Sequence, residues 1–348
     1  MGYGPPVRIV PASPKAAEAL NLVTQLQLRF AERLSAVNRG AGGQGDFEAV
    51  SWLRDEGRHG GGERLVAPTG GIFDRGSVNV SQVHYDDEPD KRLASATALS
   101  TIIHPKAARA PSVHIHVSWT ELRNGSAYWR VMADLNPAIP CESDKLAFAA
   151  ALQDAAPGPY EEAAAQGDRY FYIPALQRHR GVTHFYLESY ATNDPAADEA
   201  LAERVTQAAI DTYTELLEPA LARQTSAEDQ VAQLEYHTLY LFQVLTLDRG
   251  TTSGLLVHAQ NDVGIMGSLP SHVNGALLAS WADRVPQVQR RLVLALSDVV
   301  GRGERVPVHA EQKVALAQAV RAHYQAYPEA LKLQASGDVV PPTVDNHR

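Results

Sequence analysis

At 348 residues, with 45% hydrophobic and 20% charged side chains, the chain has the composition of an ordinary soluble globular protein with room for about two domains. A net charge of −9 speaks against a general nucleic-acid or anionic-membrane binder, because phosphate binding needs a basic surface. No run of about 18 apolar residues is present to span a membrane, and the single cysteine, Cys141, excludes an internal disulfide and a Cys-rich metal site.

The opening MGYGPPVRIVPASP lacks the charged-then-apolar pattern of a signal peptide, so a cytoplasmic protein is expected. Residues 1–15 read as a Pro/Gly-rich arm, 16–303 as one domain, and 304–348 as a C-terminal helical extension and tail. Leu20, Val23, Leu26, Phe30, Leu34 and Val37 recur at helical spacing. No Walker lysine follows the glycines at 60–62, which read as a turn between strands. A strand meander runs from Arg64 to Tyr85 with a turn at Thr69-Gly70-Gly71, and a further strand ends at His104-Pro105.

Ser112 to Trp119 alternates strictly: Ser112, His114, His116 and Ser118 on one face, Val113, Ile115, Val117 and Trp119 on the other. That pattern suits an antiparallel strand with one face on a core and one lining a cleft. Asn124-Gly125 signals a hairpin into Tyr128–Asp134. A helix is expected over 144–153, then strand-like stretches at 170–172 and 183–190, the latter with His184, Tyr186 and Glu188 on one face. Helices follow over 194–223 and 226–234. Thr238–Leu247 and Gly254–Asn261 read as a β-hairpin around Asp248-Arg249-Gly250, with Leu256, His258 and Gln260 sharing a face. Helices over 273–300 and 309–333 close the chain. Consecutive strands on short turns, with helices in separate blocks, predict an α+β fold with an antiparallel sheet.

Thirteen histidines is a high count. His114 and His116, with His104 upstream, are candidate ligands for a transition metal such as Fe or Cu; the alternative is polar strand-face histidines bonded to neighbours or water. Asp134, at a strand end, is a candidate catalytic carboxylate or a turn cap. No G-x-S-x-G, H-E-x-x-H, EF-hand or G-x-G-x-x-G motif is present, which weakens hydrolase, metalloprotease and dinucleotide readings.

Several fragments occur together in order: GGIFDRGSVNVSQVH (Gly70–His84), SATALSTIIHP (Ser95–Pro105), APSVH (Ala110–His114), DLNP (Asp134–Pro137), DRYFY (Asp168–Tyr172) and LDRGTTSGL (Leu247–Leu255). The set resembles the oxygen-dependent coproporphyrinogen III oxidases over roughly residues 20–290. The resemblance implies a large antiparallel sheet flanked by helices on both sides, a homodimer, no organic cofactor, and conversion of porphyrinogen propionates to vinyl groups with O2 and release of CO2. It assigns His114 and Asp134 as catalytic residues and Ser100 and His104 to the pocket.

The chain also departs from the pattern. The family's Asn and Arg after the histidine are His116 and Ser118 here, its Gly-Gly-Arg is His258-Ala259-Gln260, and Arg130-Val131-Met132 replaces a glycine-rich run. Ser118, Arg130, His258 and Gln260 are therefore substrate-binding candidates, Arg130 as a replacement carboxylate contact. The leading expectation is an O2-dependent oxidase acting on another carboxylate-bearing small molecule, with a His-bound metal. The alternatives are a genuine coproporphyrinogen III oxidase and a non-catalytic tetrapyrrole-binding protein.

Overall fold

The computed structural model describes residues 7–337 and 343–347; of the expected arm and tail, residues 1–6, 338–342 and 348 lie outside the described residues. Ser13 caps the first helix by accepting from the Ala16 amide, with Pro14 at the first helical position, so α1 (Pro14–Gly40) starts where side chain and ring both favour it. Six strands follow: β1 (Glu48–Leu53), β2 (Gly60–Val66), β3 (Phe73–His84), β4 (Leu93–Pro105), β5 (Ser112–Leu122) and β6 (Ala127–Asn136). Next come α2 (Glu142–Ala155), α3 (Tyr160–Phe171), the two-residue strands β7 (Tyr172–Ile173) and β8 (Arg178–His179), and β9 (Thr183–Tyr190). The rest is α4 (Pro195–Leu221), α5 (Ala227–Thr246), α6 (Arg249–Val257), α7 (Asp262–Ile265), β10 (His272–Val273), α8 (Gly275–Ser280), α9 (Gln287–Val300), β11 (Val306–Pro307), α10 (Ala310–Ala326) and the turn α11 (Thr343–Asn346).

The α+β expectation holds. One antiparallel sheet of seven strands runs in the order β1-β2-β3-β4-β5-β6-β9, with helices on both faces. On one face, Val78, Leu99, Val113, Ile115, Val117, Ala133 and Phe185 pack against Leu26, Phe30 and Leu34 of α1 and Val205, Ile210 and Tyr213 of α4. The other face is polar at its centre and is roofed by α3, α5 and α6. A second apolar cluster joins Tyr236, Leu239, Phe242 and Leu245 of α5 to Leu255, Leu292, Leu296, Leu316, Val320 and Tyr324, so α10 shares a core with α5.

Four expectations fail here. The glycines at 60–62 are not a turn but the start of β2, paired to β1 and β3. The β-hairpin of 238–261 is the helical pair α5–α6. Every residue from Tyr236 to Thr246 is buried, and a helix buried all round loses the periodicity that distinguishes it from a strand. Tyr170-Phe171 closes α3, a helix the sequence did not signal. The single helix over 273–300 is α8 and α9, separated by a 3-10 turn and by Pro286, which caps α9. No helix among the described residues is long and apolar enough to cross a membrane.

Candidate active site

The polar sheet face lines a cleft with a cavity of about 300 Å³, at the small end of ligand-pocket volumes. Pairing register builds it: Asn79 opposes Ser100, Ser100 opposes His116, His114 opposes Asp134, and Ser118 opposes Arg130. Directly opposed residues share a face, so the imidazoles of β5 come out beside the hydroxyl of β4 and the carboxylate of β6. Trp52 and Met132 wall the sides; Tyr170 of α3, Tyr240 of α5, and Asp248 and His258 at the ends of α6 close over the top.

His114 is half-buried and opens into this cleft, with Nδ1 2.6 Å from Oδ1 of Asp134. Asp134 is wholly buried. Its Oδ2 accepts from Arg180 Nη2 at 2.7 Å and Asn136 Nδ2 at 2.6 Å. Burial works against the Asp134 charge, but Arg180, His114 and Asn136 outweigh it and hold the carboxyl well below the usual carboxylate range. A permanently ionised Asp134 can only accept, so it keeps the proton on Nδ1 of His114 and leaves Nε2 as the basic atom. Arg180 is itself fixed by Gln243 Oε1, 2.8 Å from Nη1, and by stacking against Phe171 and Tyr240.

The candidates divide. Ser100, His114, His116, Arg130 and His258 line the cleft. His104 does not: it is fully buried, bonded through Nδ1 to Ser112 Oγ at 2.8 Å, and enclosed by Tyr236, His237 and Tyr240. Ser118 is also buried, 3.0 Å from His116 Nε2, and so orients that ring. Gln260 is exposed and clasps Asp55, whose amide donates to its Oε1 at 2.8 Å. Arg130 is no spare carboxylate contact, because Glu188 pairs with it at 2.7 Å and holds its charge firmly on. Asp134, with both oxygens engaged, positions His114 and does not reach the cleft.

The expected metal set is not assembled. His104, His114 and His116 each turn a ring nitrogen to a different partner. Among the described residues, the one group of three or more His, Cys, Asp or Glu donors within 4.8 Å of one another is His59, Asp87 and Glu88. Those carboxylates already face Arg58. His184 is likewise committed, to Asp168 at 2.7 Å and the Arg180 carbonyl at 2.7 Å. His258 sits at the end of α6, its ring stacked on Trp52 at 6.0 Å. Burial, then Arg54, pushes His258 down to about 4, and burial, then Arg130, lowers His116 well below its usual value, so both imidazoles are neutral at pH 7. Sequence reasoning missed Gln243, inside the misread α5, and the roof residues Tyr170 and Tyr240. Asp248, expected in a hairpin turn, caps α6 at the Thr251 amide and accepts from Tyr170 Oη at 2.9 Å.

The family model described as coproporphyrinogen III oxidase matches residues 18–282. The chain belongs to that family. The oxygen-dependent coproporphyrinogen-III oxidase of Rickettsia akari is 28% identical over 241 residues, covering 65% of this chain and 84% of the relative. That of Prochlorococcus marinus strain MIT 9301 is 27% identical over 301 residues, covering 75% and 84%. The mitochondrial enzyme of Rattus norvegicus is 25% identical over 291 residues, covering 75% and 63%. Membership in the coproporphyrinogen III oxidase family makes the chain an oxygen-dependent oxidoreductase. The matched span ends before α9 and α10 begin.

Proposed function

We propose that the chain carries out the O2-dependent oxidative decarboxylation of propionate side chains on a porphyrinogen, giving vinyl groups. The observation that carries this reading is the His114–Asp134–Arg180 chain, which sets a basic ring nitrogen at the floor of a cleft whose two lining arginines, Arg130 and Arg180, are both paired to carboxylates. In this reading Nε2 of His114 takes a proton from the electron-rich pyrrole as it reacts with oxygen. For each propionate, one CO2 leaves. O2 accepts two electrons and two protons and departs as hydrogen peroxide, so the balance needs no organic cofactor. The homodimer implied by the resemblance belongs to the same reading, and light scattering giving twice the chain mass checks it.

A second reading, a smaller carboxylate-bearing substrate, is favoured by one observation: His116, Arg130 and Met132 all project into a cavity of only about 300 Å³. Incubation with coproporphyrinogen III in air, with and without prior removal of O2, separates the two. Oxygen-dependent vinyl product seen by chromatography supports the porphyrinogen; oxygen uptake with smaller carboxylates but not with coproporphyrinogen III moves the assignment to the second reading.

A further inference from the structure

Substrates of either reading carry carboxylates, yet the two arginines lining the cleft are already spent. Arg130 is paired with Glu188 and Arg180 with Asp134. Arg64 is different. It lies on β2 opposite Asn79, on the cleft side of the sheet. Its guanidinium rests against Gly264: a Cβ built there would fall 2.2 Å from Arg64 Nη1 and 2.1 Å from Asn261 Oδ1. Only glycine leaves that space, and Asn79, Asn261 and Gly264 all line the cleft. Arg64 Nη1 is buried without a hydrogen-bond partner, and no carboxylate among the described residues pairs with the side chain.

A second unmatched cation stands nearby. Lys313 of α10 is only 7% exposed. Burial, then the repulsion of Arg75 and Arg64, pushes its ammonium down to about 8, with Asp74 alone opposing. Asp74 in turn is committed to the amide and hydroxyl of Ser271. Lys313 thus has Arg64 and Arg75 against it and only Asp74 in its favour, while Arg64 has no carboxylate beside it, and buried charge without a counter-charge is costly unless something supplies it.

We propose that Arg64, backed by Lys313, is this chain's anchor for a carboxylate of the substrate. This rests on the proposed function only in taking the substrate to be a carboxylate. The planar guanidinium fork suits two-point carboxylate binding. It also stands beside Asn261, next to Gln260, where the resemblance leads one to expect an arginine that this chain lacks. Lys313 lies outside the family-matched residues, so the C-terminal helix α10 contributes to the anchor.

The first test needs no turnover. Propionate is titrated against the intact protein at ionic strength held constant with sodium chloride, and Tm is read. The wild type is expected to gain Tm with propionate, Arg64→Ala to gain none, and Arg64→Lys to gain part. Gly264→Ala should reduce the gain by displacing the guanidinium and the Asn261 amide. A wild type that propionate does not stabilise, or an Arg64→Ala variant stabilised equally, overturns the anchor whether or not coproporphyrinogen III is the substrate. If coproporphyrinogen III is turned over, Arg64→Ala should raise KM about 10- to 100-fold, the equivalent of one charge-assisted hydrogen bond, with kcat nearly unchanged. An unchanged KM also overturns it.

Discussion

At the scale of single residues, the site is a division of labour in which one imidazole is free and its supports are not. His114→Ala should cut kcat by about 100- to 10,000-fold, the range for loss of a general base, with the far-ultraviolet circular dichroism unchanged. Arg180→Ala is a different experiment, because it leaves Asp134 buried without its main counter-charge. We expect it to cost about 3–5 kcal/mol in urea unfolding, besides any loss of activity. The pH dependence follows from the same pair. The folded pKa of Asp134 lies below its unfolded value of about 3.9, so its ionised form contributes stability fully above that value and loses it as pH falls toward the depressed one. Urea midpoints should therefore drop between pH 5 and pH 3, and drop less in Asp134→Asn.

At the scale of elements, the β5–β6 hairpin decides which residues meet. Leu122 N donates to Ser126 O at 2.8 Å, and Gly125 closes the intervening turn at φ +87°. This three-residue connection brings Asp134 opposite His114. A two-residue Asn-Gly turn would slide the pairing by one and send Asp134 to the core face with Ile115. A Cβ at Gly125 would touch nothing within 4 Å, so the cost of Gly125→Ala is conformational, about 1–2 kcal/mol. A Tm unchanged in that variant would show that the turn tolerates another geometry. The strand β5 was legible from the alternation of Ser112 to Trp119, which marks its start, and the strand runs on to Leu122. Helix α5 was legible only in its first half, over 226–234; from Tyr236 onward burial on every side erased its periodicity, and Gln243, which holds Arg180, was hidden with it.

For the whole molecule, the sheet supplies the cleft floor and the C-terminal half supplies the roof, with α10 in the core that holds the roof. Residues 304–348 are then more than an appendage. Removing them strips Leu316, Val320 and Tyr324, each 3% exposed or less, from the cluster around α5. Large-to-small changes at such positions cost about 2–5 kcal/mol each, against a total stability of about 5–15 kcal/mol. A truncation after residue 303 should therefore fail to give a cooperative melt, whereas an intact melting transition would make the extension a separate unit.

By itself the sequence determined the antiparallel sheet, the polar and apolar faces of its central strand, the family, and His114 as the residue to watch. These depend on local period and on ordered motifs, which neighbouring residues carry. The tertiary structure alone decided which polar groups see the cleft. His104 shares the sheet face of His114 yet is buried under α5, Ser118 is buried against His116, Asp134 has no free oxygen, Arg130 is consumed by Glu188, and Arg64 is left uncompensated. Those outcomes turn on strand register, on what the roof covers, and on pairings between residues far apart in the chain, none of which is written in local spacing.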